Sequence, residues 1–459
     1  MSGANAELGA YVAAAVLFIL SLKGMSEVKT SRAGNSAGIV GMLLGVIGTL
    51  IAISLQHYDL VIGAVVVGAL LGTPMALKMP MTAVPQRTAI SHAFGALAAA
   101  LVGTAEFLQR TPQIDAFTMS VLSAEVILGY LTFTGSCIAF GKLQEIIGGA
   151  PFIFRGRHIL SALLIGGAIA MGVALVIDPS QKIYFVIMAG CALVFGLLLV
   201  MGIGGADMPT VIAILNSYAG LSAVGLGFVL NNKLLIVAGS LDGSSGLVLA
   251  ILMCRAMNRS FTNVLFGGFG AAVTTGGKKV EERPVKSGGP EDAALLLTTA
   301  QKVIFAPGYG LAVSQAQHAL RDLANSLKAR GIEVKYAIHP VAGRMPGHMN
   351  VVLADADVPY DEILDMDEIN PLFPETDVAV IVGANDVVNP AARADPKSPL
   401  HGMPMLEVDR AHNVIFLKRS MASGFAGVQN ELFFEPHTMM LFGDAKSSIV
   451  KVTQSLKDL

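Results

Sequence analysis

Charge is scarce in this chain. Of its 459 residues only 14% are Asp, Glu, Lys or Arg, and 53% are hydrophobic, whereas a soluble domain carries roughly a quarter charged residues. That scarcity excludes a wholly soluble protein. Cysteine is scarce too: Cys137, Cys191 and Cys254 each stand alone in an apolar run. Without CxxC or Cys/His spacing, neither a disulfide framework nor a metal site is indicated, and the three read as small buried hydrophobes. The sequence shows no flavin motif and no internal repeat, the latter counting against a transporter built from two related halves. Before the first apolar run stands Glu7 with no basic residue, the reverse of a secretory signal, so no removable leader is expected. A net charge of −2 gives no sign of nucleic-acid binding.

What is abundant is apolar length. Stretches long enough to cross a bilayer recur nine times, at about 8–22, 37–54, 60–79, 89–108, 119–141, 158–177, 182–205, 208–230 and 233–255. If the connectors alternate sides, one set holds Lys23, Lys29, Arg32, Lys78, Arg87, Lys142, Arg155, Arg157, Arg255 and Arg259. The other holds Arg110, Lys182 and Lys233. This bias places the first set in the cytoplasm, so the N-terminus is expected outside and everything after the ninth span inside. GxxxG pairs at Gly41/Gly45, Gly68/Gly72 and Gly239/Gly243 are read as signs of a tight helix bundle.

Most of the acids, and most of the histidines, come after residue 280, which separates an apolar part from an ordinary soluble one. We expect a transmembrane domain over 1–259, a linker over 260–290 and an α/β domain over 291–459. The Gly-, Lys-, Glu- and Pro-rich stretch 271–290 is the most linker-like part. Beyond it the pattern predicts helix 291–299, strand 302–306, helix 311–329, strands 333–338 and 350–353, helix 360–366, strands 377–383, 413–418 and 438–442, and helix 444–456. The expected fold class is a polytopic α-helical membrane bundle followed by a Rossmann-like domain with a mostly parallel sheet.

"IFAPGYGLAV", 304–313, reads as a strand, a glycine turn and a helix. Gly308 and Gly310 occupy the first two places of GxGxxG, where a backbone can approach a pyrophosphate at a helix N-terminus; Val313 takes the third. An NAD site needs an acid at the end of the second strand. Here Glu333 begins that strand and His339 ends it, so a 2′-phosphate would not be repelled. Lys418, Arg419 and Ser420, at the end of a later strand, offer two cations and a hydroxyl to such a phosphate. NADP(H) is therefore favoured over NAD(H). The loops 339–350, around Gly343 and Arg344, and 382–390, with Gly383, Asn385 and Asp386, fall at the same sheet edge. The small-residue stretch 420–430 is read as a covering loop.

Polar groups inside the spans are functional candidates. His92 is the one histidine well within a span, and an imidazole can take a proton from one side and release it to the other. Asn216 and Ser136 are candidates to bond it or hold water beside it. Glu125 and Asp242 are read as buried acids of the fifth and ninth spans, each a candidate for a proton wire. Asp207 stands at the cytoplasmic boundary, placed to link membrane and soluble domain.

Together, "GGADMP", "LNSY", "MNRSF", "PGYG", "HPVAGRMPGHMNV", "GANDVVNPAA", "KRSM" and "LFGDAK" resemble, in order and over nearly the whole chain, the β subunits of proton-translocating NAD(P) transhydrogenase. The resemblance implies an NADP(H)-binding C-terminal domain, a separate α subunit carrying NAD(H), and hydride transfer between the two nicotinamides coupled to proton movement. It also implies a dimer of α–β units in the inner membrane. By motif, His92 matches the family's membrane histidine, Asn216 its polar partner, and Ser136 and Asp207 further coupling positions. Gly308, Tyr309, Gly310 and Val313 match the pyrophosphate loop. His339, Gly343, Arg344, Met345 and Pro346, then Gly383, Asn385 and Asp386, then Lys418, Arg419 and Ser420 match NADP-contacting segments, with Gly424 to Gly427 the covering loop. The rival reading is a channel or transporter gated by NADP without catalysis.

Overall fold

The computed structural model of the chain describes residues 2–26, 30–52, 58–148, 151–204, 207–258, 260–265, 283–396, 398, 400–424 and 426–459. Most of the expected linker, 266–282, lies outside the described residues, as do Gly205 and Ala206 of the "GGADMP" stretch. Two compact units emerge. One comprises Met1–Met79, Gln86–Ile203 and Val211–Ala250; the other comprises Pro80–Pro85, Gly204–Thr210 and Ile251–Leu459.

Among the described residues, nine helices are long and apolar enough to cross a membrane: α1 Ser2–Met25, α2 Ser31–Ala52, α3 Tyr58–Lys78, α4 Val84–Arg110, α5 Ala116–Leu143, α6 Arg157–Ile177, α7 Lys182–Met201, α8 Met208–Val229 and α9 Lys233–Ala256. Asp115 caps α5, accepting from the Thr118 amide at 3.1 Å, and so satisfies one orphan donor of the helix start. The first unit's core lies around α5, α6 and α7. There Leu122, Val126 and Leu131 pack with Ala168, Leu175, Met188 and Ala192, and Phe107 of α4 stacks on Phe185 at 4.2 Å between centroids.

Glycine sets how closely the helices approach. A Cβ on Gly220 of α8 would lie 2.3 Å from Gly243 N of α9, and one on Gly239 would lie 2.7 Å from Gly220 O; the predicted Gly239/Gly243 pair is thus a backbone contact of the kind small residues permit. Gly41 faces Leu17 and Phe18 of α1, and Gly45 faces Leu234. The Gly68/Gly72 pair behaves otherwise. Nothing lies within 4 Å of either position, and no residue of α3 is buried, so this GxxxG makes no helix contact among the described residues.

The second unit contains α10 (Phe261–Leu265), α11 (Pro290–Thr298), β1 (Lys302–Pro307), α12 (Tyr309–Val313), α13 (Gln317–Lys328), β2 (Glu333–Ile338), α14 (His348–Asp355), β3 (Ile363–Asp365), α15 (Met366–Ile369), β4 (Val378–Val382), α16 (Ala391–Ala394), β5 (Asn413–Lys418), β6 (Thr438–Phe442) and α17 (Ala445–Asp458). All strands run parallel in the order β3-β2-β1-β4-β5-β6. Strand β4, "VAVIV", is buried at every position, as a central parallel strand covered on both faces requires. One core layer holds Phe305, Leu320, Leu323 and Tyr336, and the other holds Phe373, Phe416, Leu432 and Phe433.

Three expected elements come out differently. The β-branched run at 350–353 lies in α14, which starts after Gly347 in the left-handed region (φ 69°); burial of His348, Met349, Val352 and Leu353 along one helical face outweighs the local β preference. The segment 360–366 is not one helix: Tyr360–Glu362 makes a single 3-10 turn, and Ile363–Asp365 forms β3, which pairs with the end of β2. The predicted helix 311–329 is interrupted between α12 and α13, where Gln315 takes φ 48°, a conformation no continuous helix accepts.

Candidate functional site

The strand order reverses at β1, which pairs with β2 on one side and β4 on the other. In open α/β sheets ligands bind outside the carboxyl ends of the strands at such a point. Here two glycine turns interlock. The Gly308 amide donates to Val382 O at 2.9 Å, and the Gly310 amide to Gly383 O at 3.0 Å. A Cβ on Gly308 would stand 2.5 Å from Ala384 Cα, and one on Gly383, at φ 73°, would stand 2.3 Å from Leu311 N. Only glycine fits either place. Because α12 has five residues, the predicted helix N-terminus is a single turn, and the close backbone approach comes from the paired turns.

A cavity of about 570 Å³ opens over this crossing. From β1 and its turn it takes Gly308, Tyr309, Gly310 and Val313; from the loop after β2, Gly343 and Arg344. Gly383, Asn385 and Asp386 follow β4, and Lys418, Arg419 and Ser420 close β5, with Gly424 above them. The Arg344 guanidinium lies 4.1 Å over the Tyr309 ring, and its backbone amide donates to His348 Nδ1 at 3.0 Å. Lys418 Nζ sits 4.9 Å from the Phe433 ring centroid and donates to Ala422 O. Its ammonium is held below the usual lysine range by burial, which the nearby Asp386 carboxylate opposes. Arg419 and Ser420 are exposed.

The predicted covering loop meets the Asn385–Asp386 turn. Asp386 Oδ2 accepts from the Ala426 amide at 2.9 Å, and a Cβ on Gly424 would come within 2.1 Å of Asp386 Oδ1. Asn430 Nδ2 donates to Asn385 O at 3.1 Å. Four expected contact residues do not line the cavity: His339, Met345, Pro346 and Gly427. His339 is 1% exposed and ties its loop to another, with Nε2 2.7 Å from Pro404 O and Nδ1 accepting from the Val341 amide at 3.2 Å. Glu333, salt-bridged to Lys335 at 3.0 Å, is at the start of β2, so no acid stands where a ribose 2′-hydroxyl partner would be expected. Sequence reasoning passed over Ser314 and the Gly443–Asp444–Ala445 turn, which also line the cavity; the signal for the latter was its position directly after β6.

In the first unit, Asn216 and Asp242 meet: Asn216 Nδ2 donates to Asp242 Oδ1 at 3.0 Å. The buried Nδ1 of His92 has no hydrogen-bond partner among the described residues. Ser136 is fully buried, and its hydroxyl bonds neither His92 nor Asn216. Glu125 is buried as expected, at 1% exposure, and takes a hydrogen bond from Ser222 Oγ at 3.3 Å. Asp242, by contrast, is exposed on the surface of the chain, not buried. Asp207 falls in the second unit, at the start of the segment that leads into α8.

The family model for the NAD(P) transhydrogenase beta subunit matches residues 8–455. Two relatives, both named NAD(P) transhydrogenase subunit beta and both from Rhodospirillum rubrum, one ascribed to the species and one to a particular strain, are each 50% identical over 458 residues, covering 98% of this chain and 98% of the relative. Apolar spanning helices, a parallel six-stranded sheet and identity over almost the whole length together place this chain in the NAD(P) transhydrogenase beta-subunit family of oxidoreductases.

Proposed function

We propose that the chain binds NADP(H) in the cavity above the β1–β4 crossing and that, with an α partner carrying NAD(H), it couples hydride transfer between the two nucleotides to proton movement across the membrane. The interlocked glycine turns carry this reading: a Cβ at Gly308, Gly310 or Gly383 would strike the main chain of the facing turn, so two bare backbones meet beneath the cavity, as close approach to a pyrophosphate needs. Gly308 and Gly310 hold the pyrophosphate. Lys418, Arg419 and Ser420 hold the 2′-phosphate, with no acid at the end of β2 to oppose it. Arg344, backed by Tyr309 and His348, and the Asn385–Asp386 turn position the rest of the nucleotide, and the 420–427 loop limits water access. Nicotinamide, when bound, supplies the hydride chemistry itself, so no acid–base pair is required of the protein.

In the membrane half, His92 carries the proton, with Asn216 and Ser136 as its polar surroundings and Asp207 as the link to the NADP(H) domain. About 2.3 kcal/mol per charge is available for each 100 mV of membrane potential. The basic connectors support an inner-membrane placement with the N-terminus outside and the NADP(H) domain in the cytoplasm. The subunit name of the relatives supports an α partner, in a dimer of α–β units.

The binding reading is tested by equilibrium dialysis of the full chain in detergent with NADPH and NADH. NADPH is expected to bind much more tightly. Arg419→Ala is expected to weaken NADPH by roughly ten- to a hundredfold, the value of a charged hydrogen bond of ~1.5–3 kcal/mol, while NADH changes little. Equal loss for both nucleotides would remove Arg419 from the 2′-phosphate.

A further inference from the structure

The loop after β2 reaches beyond the nucleotide cavity through one side chain. His348, the first residue of α14, is 1% exposed, and both of its ring nitrogens are engaged. Nδ1 accepts from the Arg344 amide at 3.0 Å, and Nε2 stands 3.2 Å from the main-chain oxygen of Thr82. These two contacts fix the place of the proton. A neutral imidazole has one N–H; since Nδ1 accepts, Nε2 carries the hydrogen and donates it to Thr82 O. Burial pushes the ring down to about 4, with the Thr82 bond favouring the proton and the Arg344 cation opposing it, so the neutral form is the working one.

The surroundings are shaped to this ring. Gly343 takes φ 118°, and a Cβ there would lie 2.6 Å from His348 Cβ and 2.7 Å from Nδ1. The Tyr309 ring, which carries the Arg344 guanidinium at 4.1 Å, lies 6.3 Å from the imidazole between centroids. His348 therefore touches two segments that line the cavity, the Gly308–Gly310 turn and the Arg344 loop. On its other side Thr82 belongs to the 3-10 turn Met81–Ala83. Helix α14 packs against that turn, and the segment Pro80–Pro85 falls in the same compact unit as the cavity. The bond joins residues 266 apart in sequence, so it is a tertiary tie and not loop geometry. Helix α4 follows the turn directly, the Val84 amide donating to Met81 O, and farther along α4 stands His92.

We propose that His348 is the positioning residue through which the nucleotide loop sets the start of α4. With NADP(H) in place the Arg344 loop holds the imidazole, and the imidazole holds the Met81–Ala83 turn. This rests on the reading of the cavity as the NADP(H) site. No proton changes hands: the ring keeps one tautomer and acts as a rigid spacer between two main-chain atoms. The tie works in both directions, because coupling between two sites is reciprocal; a shift of the turn loosens the Arg344 loop as much as loss of nucleotide loosens the turn.

The test follows hydrogen exchange of the full chain in detergent, with and without saturating NADPH, in peptides covering 80–90. Wild type is compared with His348→Asn and His348→Gln; protection of β4 without nucleotide is the folding control, and dialysis sets the NADPH concentration that saturates each protein. The Asn oxygen can replace Nδ1 toward the Arg344 amide, but the shorter side chain does not reach Thr82. The Gln amide nitrogen replaces Nε2 and can donate to Thr82 O. In wild type, NADPH is expected to slow exchange at 80–90 by roughly two- to tenfold, the worth of one neutral hydrogen bond. His348→Asn is expected to lose that response even when saturated, and His348→Gln to regain most of it. With the α partner in sealed vesicles, gradient-driven NADPH formation at saturating nucleotide should fall and recover in the same order. A merely structural histidine would lower protection at 80–90 equally with and without NADPH, and Gln would restore no nucleotide response; that result overturns the proposal. Wild type that binds NADPH with no change at 80–90 also overturns it, and leaves the reading of the cavity standing. Wild type that does not bind NADPH sinks both. Should both variants lose β4 protection, the wild-type comparison decides by the same two outcomes.

Discussion

Three glycines of the NADP(H) domain separate two physical costs that are usually mixed. Gly347 takes φ 69° with nothing within 4 Å of its missing Cβ. Gly308 takes φ −138°, open to any residue, but its Cβ would lie 2.5 Å from Ala384 Cα and from Gly383 O. Gly383 has both problems, with φ 73° and a Cβ 2.3 Å from Leu311 N and 2.5 Å from Gly310 Cα. Left-handed backbone costs an L-residue ~1–2 kcal/mol, and forcing a methyl into packed backbone costs ~1–3 kcal/mol. Gly347→Ala is therefore expected to lose ~1–2 kcal/mol, Gly308→Ala ~1–3 kcal/mol, and Gly383→Ala roughly their sum. Hydrogen exchange of the full chain, resolved to the β1 and β4 peptides, reads these local stabilities, and NADPH dialysis reads the cavity. Gly308→Ala and Gly383→Ala should open both strands and weaken NADPH, whereas Gly347→Ala should leave NADPH affinity close to wild type. Gly383→Ala with wild-type protection of β1 and β4, or Gly347→Ala as damaging as Gly383→Ala, would refute the reasoning.

Further outcomes are expected. His339 and His348 are each 1% exposed, and burial pushes both imidazoles down to about 4, against about 6.5 in an unfolded chain. Between those values the unfolded chain binds protons that the folded domain does not. The stability they contribute is thus whole above pH ~6.5 and is lost as the pH falls toward 4, by ~2 kcal/mol per histidine at pH ~5; hydrogen exchange equally slow at neutral and mildly acid pH, after correction for the intrinsic rate, would contradict this. In the membrane unit, a Cβ on Gly103 would stand 2.0 Å from Glu125 Oε2, so Gly103→Ala is expected to cost ~1–3 kcal/mol in thermal stability. Gly68→Ala, with nothing nearby, should stay within ~0.5 kcal/mol. A Cβ on Gly246 would stand 2.9 Å from Asn216 Nδ2, so Gly246→Ala is expected to displace Asn216 from Asp242, cutting gradient-driven NADPH formation while NADP(H) binding persists.

Much of this architecture was legible in one dimension. Spans of ~20 apolar residues located the nine helices long and apolar enough to cross a membrane, and β2, β5 and β6 fall at their expected bounds. The Gly308–Gly310 turn was legible for a similar local reason. What was not legible depends on partners distant in the chain. The role of Gly383 appears only when β4 inserts beside β1, with Val303 opposite Val378. The 350–353 run became helix because Gly347 starts it and the domain core takes one face. His339, placed by motif beside the nucleotide, instead binds Pro404 O, a contact 65 residues away. Asp242 was visible as an acid in a span, but its meeting with Asn216 follows from the α8–α9 approach at Gly220, Gly239 and Gly243, which spacing within either helix does not encode.

The central claim is that nucleotide chemistry and proton movement bias each other through this chain. The most direct measurement is NADPH formation from NADH and NADP⁺ by the chain and its α partner in sealed vesicles, with the proton gradient imposed and then collapsed by an uncoupler. Coupling is expected to show as faster formation and a higher NADPH/NADP⁺ ratio under the gradient, both abolished by the uncoupler and by His92→Ala. Formation at the same rate and to the same ratio in every condition would leave an NADP(H) domain attached to a membrane bundle with no link between them, and would contradict the account.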